Sequence, residues 1–228
     1  MSQKLRVMAY IDGYNLYHGI KHAARSGEWP SRYYWLDIAS LIQNRLHSGQ
    51  ELVSCKYYTG IRPLPKKIKV SLQERATRQE SLDRQRTYLA ALRAQPLTSV
   101  YEHPFIEKDP LVCDRCCRTR MRYEEKQTDV HIGVDLVADA ALNLFDLAWL
   151  VTADTDFVPA IRRVRTEWPD KEVGVMIPPG QLTAQALVNE STRKLTIKRK
   201  HLQLNQLPRR VETGDGRSVE RPAEWSEE

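Results

Sequence analysis

Two aspartates separated by one threonine, Asp154 and Asp156, close the apolar run "LAWLVTADTDF" at residues 147–157. A buried strand gains nothing from two like charges at its end, so the pair asks for a chemical reason. A third carboxylate, Asp12, ends the apolar run "KLRVMAYID". Further acids stand in "EEKQTDVHIGVDLVADAAL", where Asp135 and Asp139 lie four residues apart, a spacing that puts them on one helical face. Asp129 sits where that helix is predicted to begin, which suits an N-cap as well as a ligand. At roughly 100° per residue, Asp129 and Asp135 point about 120° apart. One of them is therefore expected at a metal, with the other holding water or a neighbouring side chain. Carboxylates brought together repel unless a cation neutralises them. Oxygen-only ligands with open positions suit Mg²⁺ or Mn²⁺. Such an ion lowers the pKa of bound water and draws charge from a phosphate, which is the chemistry of phosphodiester hydrolysis.

The elements that must position these acids alternate. Strands are predicted in the runs ending at Asp12 and Val151, and in "ELVSCKYYTGI", "LTSVYEHPFI", "KEVGVMIPP" and "KLTIKRK". Helices are predicted in "GYNLYHGIKHAAR", in "WLDIASLIQNRL", over about Ser71 to Ala94, from Thr128, and in "DFVPAIRRVRTEW" and "TAQALVNES". This alternation implies an α/β fold, a three-layer α/β/α sandwich with a mostly parallel central sheet. Ligands in such sheets bind at the carboxyl ends of the strands, where the winding direction reverses. Asp12, Asp154 and Asp156 converge if their strands are neighbours. One domain is expected over residues 1–208, carrying an irregular basic insertion, a loop or small hairpin, around 108–126. Residues 209–228 are polar with Gly and Pro and read as an unordered tail.

Composition narrows the class. With 41% hydrophobic and 28% charged residues the chain of 228 has the balance of a globular protein. No run approaches the roughly 18 apolar residues of a membrane span. The basic start meets Asp12 too soon for a signal peptide, so the cytoplasm is the expected compartment. Between Arg62 and Lys126 there are 15 Lys and Arg against 9 Asp and Glu, which equals the whole formal excess of +6. Such a segment is either a solvated basic face or the footprint of a polyanion. Tyr14, Tyr57 and Tyr58 could stack bases, although packing is the commoner use of a tyrosine. Cys113 and Cys116 have zinc-knuckle spacing, but four ligands are wanted and only Cys117, Cys55 and His103 could be added. Reduced thiols are expected there unless a second copy of the chain completes a Zn²⁺ site.

Taken in order, "AYIDGYNLY", "EEKQTDVHIGVDL" and "VTADTDF" resemble the three acidic motifs of the NYN domain, a PIN-like ribonuclease family with a Rossmann-like sheet. The resemblance runs from about Leu5 to Pro208 and includes "CKYYTGIRP" and an Arg-rich helix with "YLAALRA". Thr152, Ala153 and Thr155 replace the Ser, Gly and Ser usual in the last motif. The resemblance implies a metal-dependent endoribonuclease acting on single-stranded or structured RNA, with DNA left open, and products with a 5′-phosphate and a 3′-hydroxyl. Asp12, Asp129, Asp135, Asp154 and Asp156 would be catalytic, with Asp12, Asp135, Asp154 and Asp156 holding Mg²⁺ or Mn²⁺. Asn15 would orient Asp12 or contact phosphate, alongside Thr152, Thr155, Lys126, Arg118, Arg120 and Arg122 as substrate contacts. Two rivals stand beside it. A scaffold could keep the fold and bind RNA without turnover. A haloacid-dehalogenase-type phosphatase would explain the run before "DTD" but leaves "IDGYN" without a role.

Overall fold

Buried residues run without a break from Val7 to Asp12, and they form the middle of the sheet. The computed structural model describes residues 4–25, 29–64, 71–112, 115, 119–214 and 216–226. Leu5–Asp12 is strand β1, and its side chains alternate between two apolar clusters: Val7, Ala9 and Ile11 enter one, Met8 and Tyr10 the other. A strand apolar on both faces requires a sheet covered on both sides.

The sheet has seven strands in the order β4-β3-β2-β1-β5-β6-β7. They are β2 (Gln50–Ile61), β3 (Thr98–Val112), β4 (Thr119–Glu125), β5 (Leu147–Val151), β6 (Glu172–Ile177) and β7 (Arg193–Thr196). All neighbours are parallel except β3 and β4, which form an antiparallel hairpin. Strand β1 pairs with β2 on one side and β5 on the other, with Ile11 opposite Val151. The expected adjacency of the strands ending at Asp12 and Val151 therefore holds, and the winding reverses between them.

Helices α1 (Gly13–Arg25), α2 (Ile38–Gln43) and α3 (Leu72–Arg93) cover the Val7 face, with α7 (Arg199–Leu204) beside them. Helices α4 (Thr128–Ala141), α5 (Val158–Glu167) and α6 (Gln185–Glu190) cover the other. Their starts follow local chemistry. Asp37 caps α2 by accepting from the Ser40 amide at 2.9 Å, and Ser71 caps α3 by accepting from Glu74 at 3.1 Å. Pro159 lies in the first turn of α5, where its missing N–H costs nothing.

One expectation narrows and another changes. Of the loop or small hairpin expected for the basic segment, the structure has the hairpin, joined to the sheet: β3 runs on past Phe105 to pair with β4 up to Glu125. Cys113, Cys116, Cys117 and Arg118 lie outside the described residues, so the zinc and Arg118 expectations do too. The segment after Pro208 is folded, forming the hairpin β8 (Arg210–Glu212) and β9 (Ser218–Glu220) and a 3-10 turn at Ala223–Trp225. Its polar composition hid three apolar anchors: Val211 is buried, and Val219 and Trp225 pack against the Val7-side core. Among the described residues no helix is long and apolar enough to cross a membrane.

Candidate functional site

Asp12 ends β1 with its carboxylate 5% exposed. Its Oδ1 accepts from the Asn15 amide at 2.9 Å, and its Oδ2 accepts from the Thr152 hydroxyl at 3.1 Å. Gly13 opens α1 where a Cβ would stand 2.5 Å from the Tyr57 ring and 2.7 Å from the Tyr58 carbonyl, so only glycine lets the chain turn this tightly over β2. Burial is the largest influence on Asp12 and pushes its pKa up to about 7, with Asp129 and Glu125 adding to the rise against the two hydrogen bonds.

The turn after β5 supplies the next acids. Thr152 is fully buried, and its hydroxyl also accepts from the Asp154 amide at 3.1 Å. Asn15 Oδ1 accepts from the Ala153 amide at 3.2 Å, joining α1 to this turn. Asp154 caps the 3-10 turn Thr155–Phe157 by accepting from the Asp156 amide at 3.0 Å. Thr152 was expected to touch substrate; it is turned inward and orients Asp12 instead. Asn15 acts in the same way, while Thr155 is exposed at the rim.

Helix α4 divides its acids between two places. Asp129, in its first turn, lies within the field of Asp154 and Asp156, and burial together with those charges raises its pKa. Asp135 points elsewhere, as the helical period requires. Its Oδ2 accepts from Tyr58 at 2.6 Å and from Lys56 Nζ at 3.1 Å. Lys56 also donates to Asp139 at 2.6 Å, and Tyr10 donates to Asp139 at 2.7 Å. Burial opposes ionisation of Asp135, but these donors outweigh it and hold the group below the usual carboxylate range. The expected ligand Asp135 is thus committed to a cation of the protein's own, and Asp129 takes the place near Asp12.

Glu125 was missed by sequence reasoning. It ends β4, accepts from the Thr128 hydroxyl at 2.6 Å, and reaches the field of Asp12. Its pKa is raised, by burial first and by Asp129. Gly60 makes the room: a Cβ there would stand 2.4 Å from the Phe105 ring and 2.8 Å from Glu125 Oε1. The signal was its place beside Lys126 in "EEK", at the edge of a strand not foreseen. Lys126 itself pairs with Glu124. Arg122 is exposed on β4, and the Arg120 side chain lies outside the described residues.

Among the described residues no three His, Cys, Asp or Glu side chains are gathered tightly enough to grip an ion unaided. The chemistry of the set nonetheless fits a hard divalent cation. It is all oxygen, and the charges acting on buried Asp12 are those of other carboxylates, a repulsion that a cation would relieve. On one side lies a polar cavity of about 750 Å³ lined by Asn15, His18, Lys21, Asp154 and Thr155. On the other lies an aromatic cleft of about 800 Å³ that reaches Gly13.

Comparison with known proteins bears on the family and the fold. The family model described as NYN domain matches residues 6–198. A curated protein, 6-hydroxy-3-succinoylpyridine 3-monooxygenase HspA of Pseudomonas putida (strain DSM 28022 / S16), is 28% identical over 203 residues, covering 78% of this chain. The chain spans 61% of that relative's length. A crystal structure of a protein of unknown function, VPA0982 from Vibrio parahaemolyticus RIMD 2210633, superposes with a TM-score of 0.50 at 20% identity. That match covers 87% of this chain and 96% of the other, and it bears on the fold alone.

Proposed function

The chain belongs to the NYN domain family, part of the PIN-like nuclease superfamily, and from that premise we propose that it is a metal-dependent endoribonuclease. One observation carries the reading: Asp129 lies within the fields of Asp12, Glu125, Asp154 and Asp156, where the sheet reverses its winding, a position where α/β sheets bind ligands. Asp12, Asp129, Asp154 and Asp156 would hold Mg²⁺ or Mn²⁺, which supplies activated water and neutralises charge on the phosphate. The protein's own part is positioning. The Asn15 amide and the Thr152 hydroxyl each donate to one oxygen of Asp12, which sets the direction of its carboxylate before substrate binds. The Asp154 cap holds the turn that presents Asp156. Glu125 lies within the field of Asp12, where it can accept a proton from the attacking water. Lys21 supplies a cation beside His18 and His22 on α1 for the backbone beyond the cut.

The test incubates labelled RNA and DNA with wild type and Asp154→Asn, in metal and in chelator. Cleavage that needs metal and Asp154 supports the reading. Metal-dependent cleavage that survives in the variant removes it, and binding without cutting would instead make the protein an RNA-binding scaffold.

A second reading follows from the curated relative, whose name assigns it oxygenation of a hydroxylated pyridine. The observation that favours it is the aromatic cleft beside the acids, whose volume lies within the range of small-molecule sites. Oxygen uptake with 6-hydroxy-3-succinoylpyridine and a two-electron reductant would support this reading, and RNA cleavage without such uptake would remove it.

A further inference from the structure

The aromatic cleft holds more exposed ring surface than packing can account for. Two ladders of rings rise from α1. In one, Tyr14 lies 4.2 Å from His18 and 6.1 Å from Phe105 of the β3–β4 hairpin. In the other, Tyr17 lies 5.2 Å from Tyr34, and Tyr34 lies 5.6 Å from Trp225. The inner rings, Trp35 and Tyr88, are core residues. Tyr14 is 45% exposed and Tyr17 37%, while Tyr34 and Trp225 are half-buried, each packed against the core yet not closed off from solvent. Exposed aromatic rings gathered in one concavity mark a recognition surface.

Trp225 reaches the cleft from the end of the chain. Arg84 on α3 donates to the Glu224 carboxylate at 2.6 Å, and Ser31 donates to the Glu224 carbonyl at 2.7 Å. These two contacts set the final turn against Tyr34. The rim is basic. Arg62 lies 4.0 Å above the Tyr123 ring, and Arg84 and Arg122 line the same cleft. Among the described residues no carboxylate forms an ion pair with Arg62 or Arg122.

We propose that this cleft is a nucleobase subsite, in which an unpaired base of an RNA strand stacks on the Tyr17–Tyr34–Trp225 ladder while Arg62 and Arg122 hold its phosphate. Rings that stack on any base face combined with arginines on the backbone path match single-stranded nucleic acid. The cleft shares His18 and Lys21 with the polar cavity that Asp154 lines, so the stacked nucleotide flanks the phosphate to be cut. A duplex has no free base to offer. The inference rests on the nuclease reading for that placement, and it adds a base-stacking role for the rings of the cleft, Trp225 of the Ala223–Trp225 turn among them.

The experiment measures, in chelator, the affinity of a short unstructured oligoribonucleotide and of the same oligomer with abasic positions. Wild type should bind the abasic oligomer about tenfold more weakly, as expected for loss of base stacking. Tyr17→Ala and Trp225→Ala should each weaken the intact oligomer about tenfold and the abasic one little, so that the abasic penalty disappears. Trp225→Phe should restore most of it. Tyr17 is exposed and leaves the fold intact, which guards against a Trp225 variant that merely unfolds. Equal binding of both oligomers by wild type, or an abasic penalty that survives in both alanine variants, overturns the proposal. Adding metal to the wild type separates the two claims. Base-dependent binding without cleavage keeps the subsite and removes the nuclease, whereas cleavage without base dependence does the reverse.

Discussion

A carboxylate 5% exposed and facing Asp129 and Glu125 keeps its proton up to about pH 7, and that has a measurable cost. A folded-state pKa above the unfolded one means that Asp12 favours the native state below about pH 4. That contribution is lost as pH rises through 7. In chelator the native state should therefore lose about 2–3 kcal/mol between pH 5 and pH 8 on account of Asp12, by the linkage of 1.36 kcal/mol per pKa unit. Denaturant titrations of wild type and Asp12→Asn across that range check it: the loss should be absent in the variant, and identical slopes would refute it. At this scale the sequence was legible where two acids share one turn. Asp12, Asp154 and Asp156 declare themselves by following apolar runs. The inward turn of Thr152 was not readable, because nothing in its neighbours' types says that its hydroxyl bridges Asp12 and the Asp154 amide.

Helix α4 carries both a site residue and an anchor, and its 3.6-residue period separates them. Asp129 faces the acids at the switch point, while Asp135 and Asp139 clasp Lys56 on β2. Asp135→Ala should cost about 1–3 kcal/mol, the usual consequence of removing a partner from a buried hydrogen-bonded charge. Its melting temperature should still rise with Mg²⁺ or Mn²⁺ by mass action. Thermal melts with and without metal test this, and an Asp135→Ala protein of wild-type stability that no longer responds to metal would return Asp135 to the ligand set. The 120° separation of Asp129 and Asp135 could be read from spacing alone. Which of the two joins Asp12 could not, since the answer depends on Lys56 and Tyr58 standing opposite the helix. For the β3–β4 segment a loop and a small hairpin were equally legible, but its register was not: only the Phe105↔Glu125 pairing and the bare backbone of Gly60 bring Glu125 to the site.

Across the whole molecule the acids sit at the middle of the sheet edge, between a polar cavity and an aromatic cleft with arginines on its rim. The mostly parallel sheet and the adjacency of β1 and β5 followed from the alternation of elements, because crossover helices leave few arrangements for them. The folded end of the chain did not follow, since three apolar residues scattered among charges give no periodic signal. Basic side chains on the path of a polyanion make its binding salt-dependent. RNA affinity in chelator should fall steeply with ionic strength, and Arg62→Ala with Arg122→Ala should flatten that slope; an unchanged slope would make these arginines ordinary solvated surface. The central claim is that Asp12, Glu125, Asp129, Asp154 and Asp156 form the cutting site and that Asp135 does not. Single-turnover cleavage of an unpaired RNA in Mn²⁺ tests it most directly, comparing wild type, Asp154→Asn and Asp135→Asn after each is verified as folded. The account predicts that Asp154→Asn loses about a hundredfold or more in rate, as removal of a charged group from a metal-assisted site should, while folded Asp135→Asn cuts near the wild-type rate. A folded but inactive Asp135→Asn, or an active Asp154→Asn, would contradict it.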